Sequence, residues 1–355
     1  MDFGLFSESG ARGNASATLT YQQDLAEIVL ADEVGYREVW VAERGSRSRG
    51  QSPDIVSAAN LLICTAATLT KRIRLGTGIR PLPYHHPFTV ATEANVCDHL
   101  TGGRYMLGYG GTHGLYGDHH SQLGIEGELQ RAMTYEAVDF ILKCFTCPEA
   151  FDFEGEFWHG KGINVLPKSV QQPYVPMAAA CSGALPTIET AARHGFMTLF
   201  GRGGDPAPKT REMGDAYVAA ARAAGRSPSR NVFRVSQHVY VSKTDRQARE
   251  ELRARVEPWI ERQKRGDHAD SLSRWVQDPS DILSFDTLMD AGYYIVGSPE
   301  TVCERIARYF HESGGFGVLL IITGQGHTEP ELWHQSLRLF AEEVAPQLAD
   351  LDPDG

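Results

Sequence analysis

The chain has 355 residues, 42% apolar and 22% charged, with a formal charge of −11 and a pI near 5.6. This is the balance of an ordinary globular protein, and its acid excess argues against a nucleic-acid partner. No run nears the roughly 18 apolar residues of a membrane span, and the start Met1 to Glu8 lacks a basic or long apolar leader. A cytoplasmic protein that contacts no membrane is therefore expected.

Short apolar strands alternate with amphipathic helices, the pattern of a parallel sheet covered by helices. Phe3 to Phe6 reads as the first strand, and Leu25, Ile28 and Val29 then recur at helical spacing until Gly35, a left-handed stop. Val39 to Val41 is the second strand. Pro53 opens a helix to about Leu69, and Ile73 to Ile79 is the third strand. Pro87 starts a helix, since proline suits the first helical turn. Arg104 to Gly108 is the fourth strand, and a helix runs from about Glu126 to Lys143. Two alternating runs around Glu154-Gly155 predict a hairpin within Phe151 to His159. Tyr174 to Ala180, Phe196 to Phe200 and Val232 to Val241 are three more strands.

The stretch from about Arg253 to Gly292 is more polar and breaks the alternation, as an inserted lid or interface element would. Ser298-Pro299 is a capped helix start, and Val302, Ile306 and Phe310 form the helix's inner stripe. Gly317 to Ile322 is the last strand, followed by a helix from Glu329 to Gln347. Eight strands separated by helices predict an α/β fold, a (β/α)8 barrel with insertions, as one domain over residues 1–355.

Six cysteines are too few for a disulfide framework, and Cys144-Phe-Thr-Cys147 lacks the context of a redox or zinc motif. Glycine clusters follow four strands, at Gly76-Thr-Gly78, Gly108-Tyr109-Gly110-Gly111, Gly201-Arg-Gly203-Gly204 and Gly324-Gln-Gly326. None completes G-x-G-x-x-G, so no nicotinamide fingerprint is present. Gly155 to Lys161 has P-loop spacing, but Gly162 stands where Ser or Thr is needed. In a barrel the C-terminal strand ends form the active face, where glycine lets backbone approach a flat ligand or a phosphate.

The segment Leu75-Gly-Thr-Gly-Ile-Arg-Pro-Leu-Pro-Tyr-His-His-Pro87 resembles the third-strand region of the luciferase-like flavin monooxygenases, in particular the limonene-monooxygenase-like branch. Asp98 to Gly108, Val39 to Glu43, Ala191 to Gly195 and Val296 to Glu300 match in the same order. The resemblance implies a barrel that binds reduced flavin, usually FMN, with FAD or the deazaflavin F420 as alternatives. The flavin would react with O2 at C4a, and the resulting (hydro)peroxide would oxygenate a small organic substrate. A separate flavin reductase would supply the reduced cofactor, and a homodimer is implied by analogy.

Residue by residue, the resemblance places a non-proline cis peptide at Thr77-Gly78, under the flavin ring. It places Arg131 on the flavin phosphate, with Ser182, Gly183, Ala184 and Thr187 forming the phosphate loop at the start of the fifth helix. Tyr109 and Gly110 would border the cofactor, and Glu43 keeps its family place after the second strand. Two departures follow. Arg44 and Gly45 stand where many relatives carry histidine, and Gly110-Gly111-Thr112 stand where luciferase has an arginine. Arg44 becomes a candidate contact to an anionic or polar substrate. His113 and His238 are candidate proton donors in place of the missing histidine, while His85 and His86, just before Pro87, suit a turn. The same barrel also serves F420-dependent hydride transfer and non-catalytic flavin-binding subunits, so three uses stay open at this point.

Overall fold

The computed structural model describes residues 1–8, 16–43, 58–111, 124–181, 183–201, 204–264, 275, 284–323 and 329–355. Eight parallel strands close into a barrel: β1 Asp2–Ser7, β2 Glu38–Val41, β3 Arg74–Thr77, β4 Tyr105–Gly110, β5 Met177–Cys181, β6 Met197–Phe200, β7 Phe233–Val241 and β8 Val318–Thr323. Each pairs with the next, and β8 pairs back onto β1 with Asp2 beside Val318. All eight expected strands are present, with no end shifted by more than three residues.

The helices between them are α1 Ala17–Val34, α2 Ala59–Leu69, α3 Pro87–Leu100, α4 Gln130–Thr146, α5 Leu185–His194, α6 Ala207–Ala223, α7 Asp245–Lys264, α8 Phe285–Asp290, α9 Pro299–Glu312 and α10 Pro330–Leu339. Local chemistry sets their ends. Ser16 caps α1 by accepting from Leu19 N, and Gly35 ends it at φ 96°. Ser298 caps α9 through Thr301 N, with Pro299 in its first turn. The chain continues past α10 as a π-helical turn, Phe340–Val344.

Outward-facing strand residues such as Val39, Val41, Leu75, Leu107 and Val235 join the helices in one apolar layer. Each such side chain fully buried contributes about 1.5–3 kcal/mol. The expected hairpin forms from Phe151–Glu154 and His159–Ile163, so the P-loop spacing there has no strand-to-helix context.

Two features depart from the sequence reading. The polar stretch beginning at Arg253 continues α7 without a break to Lys264. A side strand, Tyr294–Gly297, pairs with the upper half of β7, from His238 beside Tyr294 to Val241 beside Gly297. The nine-residue β7 thus serves the barrel with its lower half and this side strand with its upper half.

Candidate active site

The strand register sorts side chains around the whole ring, because successive residues face opposite sides. Val318 and Leu320 pack inside the barrel with Trp40, Met106, Ala178 and Leu199. Following their partners around the barrel puts Glu38, Arg74, Gly76, Gly108, Ala178, Leu199, Arg234 and Ser236 on the same inner face.

The lower interior is charged. Glu38 is fully buried and accepts from Trp40 Nε1 at 2.7 Å and from Arg234 Nε at 3.1 Å. Trp40 lies above this pair and plugs the barrel. Its ring rests on glycine backbone: a Cβ on Gly76 would come within 2.5 Å of Trp40 Cε3, and one on Gly108 within 3.0 Å of Cζ3.

The uppermost inward positions on five consecutive strands, β2 to β6, are Ala42, Gly78, Gly110, Ala180 and Gly201. Phe6 lies against Gly78, and Ile79 against Gly110, with approaches of 2.9 and 3.2 Å to a Cβ at those positions. The result is a shallow apolar platform. Across from it, β7, β8 and β1 carry His238, Ile322 and Glu8 on the same parity. His238 is buried, with its ring 4.6 Å from Tyr293 and 5.5 Å from Tyr294.

The non-proline cis peptide is the Gly78–Ile79 bond, one bond beyond the expected Thr77–Gly78. The correction has a visible reason. Gly78 N donates to Val41 O at 2.7 Å, so residues 77 and 78 continue the ladder and the chain reverses only after Gly78. Thr77 turns outward and donates to Gly108 O at 2.8 Å, leaving only its backbone near the mouth. Tyr109 also turns outward, edge-on to Phe196 at 5.9 Å, so Gly110 rather than the Tyr109 ring borders the platform.

Glu43 is not a free carboxylate. It accepts from Arg80 Nη1 at 3.0 Å and lies 2.8 Å from His85 Nε2, and its side chain is 3% exposed. Arg80 also donates to Glu93 at 2.7 Å, and Asn60 links Glu93 to the Tyr105 hydroxyl. His85 Nδ1 sits 3.5 Å from Arg80 Nη2. A guanidinium only donates, so Nδ1 accepts and the proton on Nε2 faces Glu43. The network pins the segment that carries the cis bond against α2 and α3. The sequence reading passed over Arg80 and assigned His85 to a turn.

No side chain caps α5, and no acidic residue lies in its first turn. Pro186 has no N–H and Thr187 N donates to Ala184 O at 3.1 Å, so the helix start presents the positive end of its dipole rather than a row of free donors. Gly183 precedes it at φ 99°, and Lys209 from α6 lies over it, with Cε 3.2 Å from where a Cβ would be. Thr187 shares a 3.1 Å hydrogen bond with the Tyr135 hydroxyl of α4. Arg131 is exposed one turn before Tyr135, on the same face of α4. Gly183, Ala184, Thr187 and Arg131 thus come to one corner, joined by Lys209, which no motif announced. Arg44, His113 and Ser182 lie outside the described residues. Among the described residues no metal-binding cluster is present, and no helix is long and apolar enough to cross a membrane.

This barrel and mouth match a known class. The luciferase-like monooxygenase profile matches residues 1–316, and the chain belongs to that family of oxidoreductases. Among individual relatives, limonene 1,2-monooxygenase of Rhodococcus erythropolis is 29% identical, over 99% of this chain and 88% of its own length. The 4-hydroxyprotoasukamycin monooxygenase of Streptomyces nodosus subsp. asukaensis is 31% identical, over 93% and 87%. A solved structure of the oxygenating constituent of 3,6-diketocamphane monooxygenase from Pseudomonas putida, a type II Baeyer-Villiger monooxygenase in complex with FMN, superposes with a TM-score of 0.81. It is 26% identical and covers 98% of each chain. An F420-dependent secondary alcohol dehydrogenase shares the fold at a TM-score of 0.73 but only 18% identity.

Proposed function

We propose that the chain is a flavin-dependent monooxygenase that takes reduced FMN and O2 and oxygenates a small organic substrate. The observation that carries this is the unbroken arc of short side chains at the mouth of β2 to β6, ending beside the uncapped start of α5. A flat tricyclic ring fits such an arc, and a phosphate fits the helix start beneath Lys209 and Arg131. The FMN complex of the diketocamphane enzyme supports the same choice of cofactor.

Reduced flavin, when bound, supplies two electrons to O2, so that one oxygen atom reaches the substrate and the other leaves as water. The protein does the rest. Phe6, Ile79 and the glycine backbone seat the ring in an apolar environment that excludes water. His238, across the mouth, is placed to hold or deliver a proton on the substrate side. With no nicotinamide fingerprint in the sequence, a separate reductase delivers the reduced flavin.

Anaerobic titration with FMNH2, FADH2 and reduced F420, followed by mixing with O2, tests the reading. FMNH2 should bind tightest, and O2 should be consumed only with flavin. Tightest binding of reduced F420, with no O2 uptake, would replace the reading with hydride transfer. In the same titration Arg131→Ala combined with Lys209→Gln should weaken FMN binding by about 100-fold or more, since charged hydrogen bonds contribute about 1.5–3 kcal/mol each. Riboflavin, which has no phosphate, should bind the variant and the wild type alike.

The exposed faces of α2 and α3 point to a homodimer. Leu61 is 73% exposed and Leu100 62%, and Leu69, Phe88 and Val96 lie on the same two neighbouring helices. Phe88, Val96 and Leu100 recur at multiples of four, one stripe along α3. Leu61→Glu with Leu100→Glu should convert a dimer to a monomer in sedimentation velocity. A wild-type chain that sediments as a monomer at micromolar concentration would remove this assignment.

A further inference from the structure

Two cysteines stand apart from the mouth, on the outer seam between α2 and α3. Cys64 of α2 and Cys97 of α3 are free thiols whose sulfur atoms lie 3.5 Å apart. A formed disulfide holds its sulfurs at about 2.05 Å, so a movement of about 1.5 Å closes the gap.

The pair is one rung of a ladder. One turn earlier on each helix, Asn60 Nδ2 donates to Glu93 Oε2 at 3.1 Å. Both rungs join residues 33 apart in the chain, so the two helices run in register along this seam. Glu93 also accepts from Arg80, which ties the ladder to the segment that carries the cis peptide.

The two thiols are unequal. Cys97 is buried, whereas Cys64 is partly exposed. Once Cys64 ionises, Cys97 donates the hydrogen bond they share, and this lowers the Cys64 pKa despite burial. The same bond, burial, and the charges of Cys64 and Glu93 hold Cys97 protonated. Burial pushes the thiols of Cys144, Cys181 and Cys303 up instead. Thiolate character and exposure together decide which thiol an oxidant meets.

We infer that Cys64 and Cys97 form a peroxide-reactive dithiol: hydrogen peroxide oxidises Cys64, and Cys97 then closes a disulfide between α2 and α3. The Cys64 thiolate attacks one peroxide oxygen, the O–O bond breaks, and the other oxygen leaves as water. This gives a sulfenic acid. The Cys97 sulfur attacks the Cys64 sulfur, the S–O bond breaks, and the departing hydroxide takes the Cys97 proton as a second water. The two thiols lose two hydrogens and two electrons, and one peroxide becomes two waters. Only Cys64 has to meet the oxidant, so the burial of Cys97 is no obstacle. Reduced flavin and O2 give hydrogen peroxide when no substrate takes the oxygen, but the step needs only the peroxide, whatever its origin.

The reduced full chain is treated with hydrogen peroxide, quenched with iodoacetamide and digested for mass spectrometry. Leu61→Glu with Leu100→Glu is treated alongside, since it keeps the seam open whether or not the wild type pairs through this face. A Cys64–Cys97 cross-link should form in the open-faced variant at least as fast as in the wild type, ahead of oxidation at any other cysteine. Dithiothreitol should reverse it. Cys97→Ser should gain oxygen at Cys64 without a cross-link, because serine still donates to the thiolate but cannot displace the oxygen. Cys64→Ser should keep Cys97 reduced. The cross-linked protein should melt about 5 °C higher than the reduced one, because the bond restricts the unfolded chain.

Absence of the cross-link from both proteins, earlier oxidation of another cysteine, oxygen gained at Cys97 in Cys64→Ser, or a cross-linked protein that melts no higher each overturns the assignment. The peroxide is added directly, so a failure of FMN to bind would count against the flavin reading alone.

Discussion

Gly108→Ala is expected to cost about 3 kcal/mol or more of folding stability and to abolish flavin binding in what remains folded. A Cβ at position 108 would lie 1.9 Å from Thr77 O and 3.0 Å from the Trp40 ring. Overpacking that displaces side chains costs about 1–3 kcal/mol. Here the obstacle is backbone of the adjacent strand, and Thr77 also donates its hydroxyl to Gly108 O. Relief would require β3 and β4 to part just below the cis peptide. Gly225→Ala is the control. Gly225, unlike Gly108, has a positive φ, 74°, but nothing within 4 Å of its Cβ position, so only the left-handed backbone cost of about 1–2 kcal/mol applies. Urea unfolding midpoints of the two variants decide the matter, and equal losses would mean that the close approach is not what fixes glycine at 108.

Arg234→Met should be nearly as damaging. It removes the cation that hydrogen-bonds Glu38, a carboxylate with 1% exposure, and leaves Arg74, its neighbour across the register, as the remaining charge opposite it. Breaking a buried pair from one side costs about 3–5 kcal/mol, and the Arg74 charge sets the loss toward the lower end. The Trp40 Nε1 hydrogen bond remains but carries no full charge. The double variant Glu38→Met, Arg234→Met should recover most of the loss, since two apolar chains of similar length can fill the same volume. A double variant no more stable than the single one would show that the pair contributes by geometry rather than by charge balance.

Much of this architecture is readable from residue pattern. Buried strands such as Val-Leu-Leu-Ile-Ile-Thr in β8 announce themselves by hydrophobicity and length, and Gly35 and Ser298 mark helix ends by local stereochemistry. The side strand does not. Tyr294–Gly297 is four residues long, wholly buried, and follows a polar stretch, so it has neither alternation nor length to distinguish it.

Within the site, position was legible and orientation was not. Thr77 and Tyr109 sit at the mouth by sequence, yet both side chains face outward because of strand parity, which depends on a register that no local signal encodes. The cis bond was displaced by one because a resemblance carries position, not hydrogen bonding. Arg80 acts through contacts with residues distant in the chain, and Lys209, ion-paired with Glu212 three residues on, comes to Gly183 only through the fold; a single lysine or arginine has no spacing to reveal that.

The ring of strands divides its labour unevenly. Five neighbouring strands present almost no side chain at the mouth, while β7, β8, β1 and the adjoining side strand present all the variety. Substitution along that one edge would therefore change the groups that meet a ligand while leaving the opposite arc of short side chains intact. For laboratory evolution, saturation libraries belong at position 238, and the glycines of the opposite arc are best left alone.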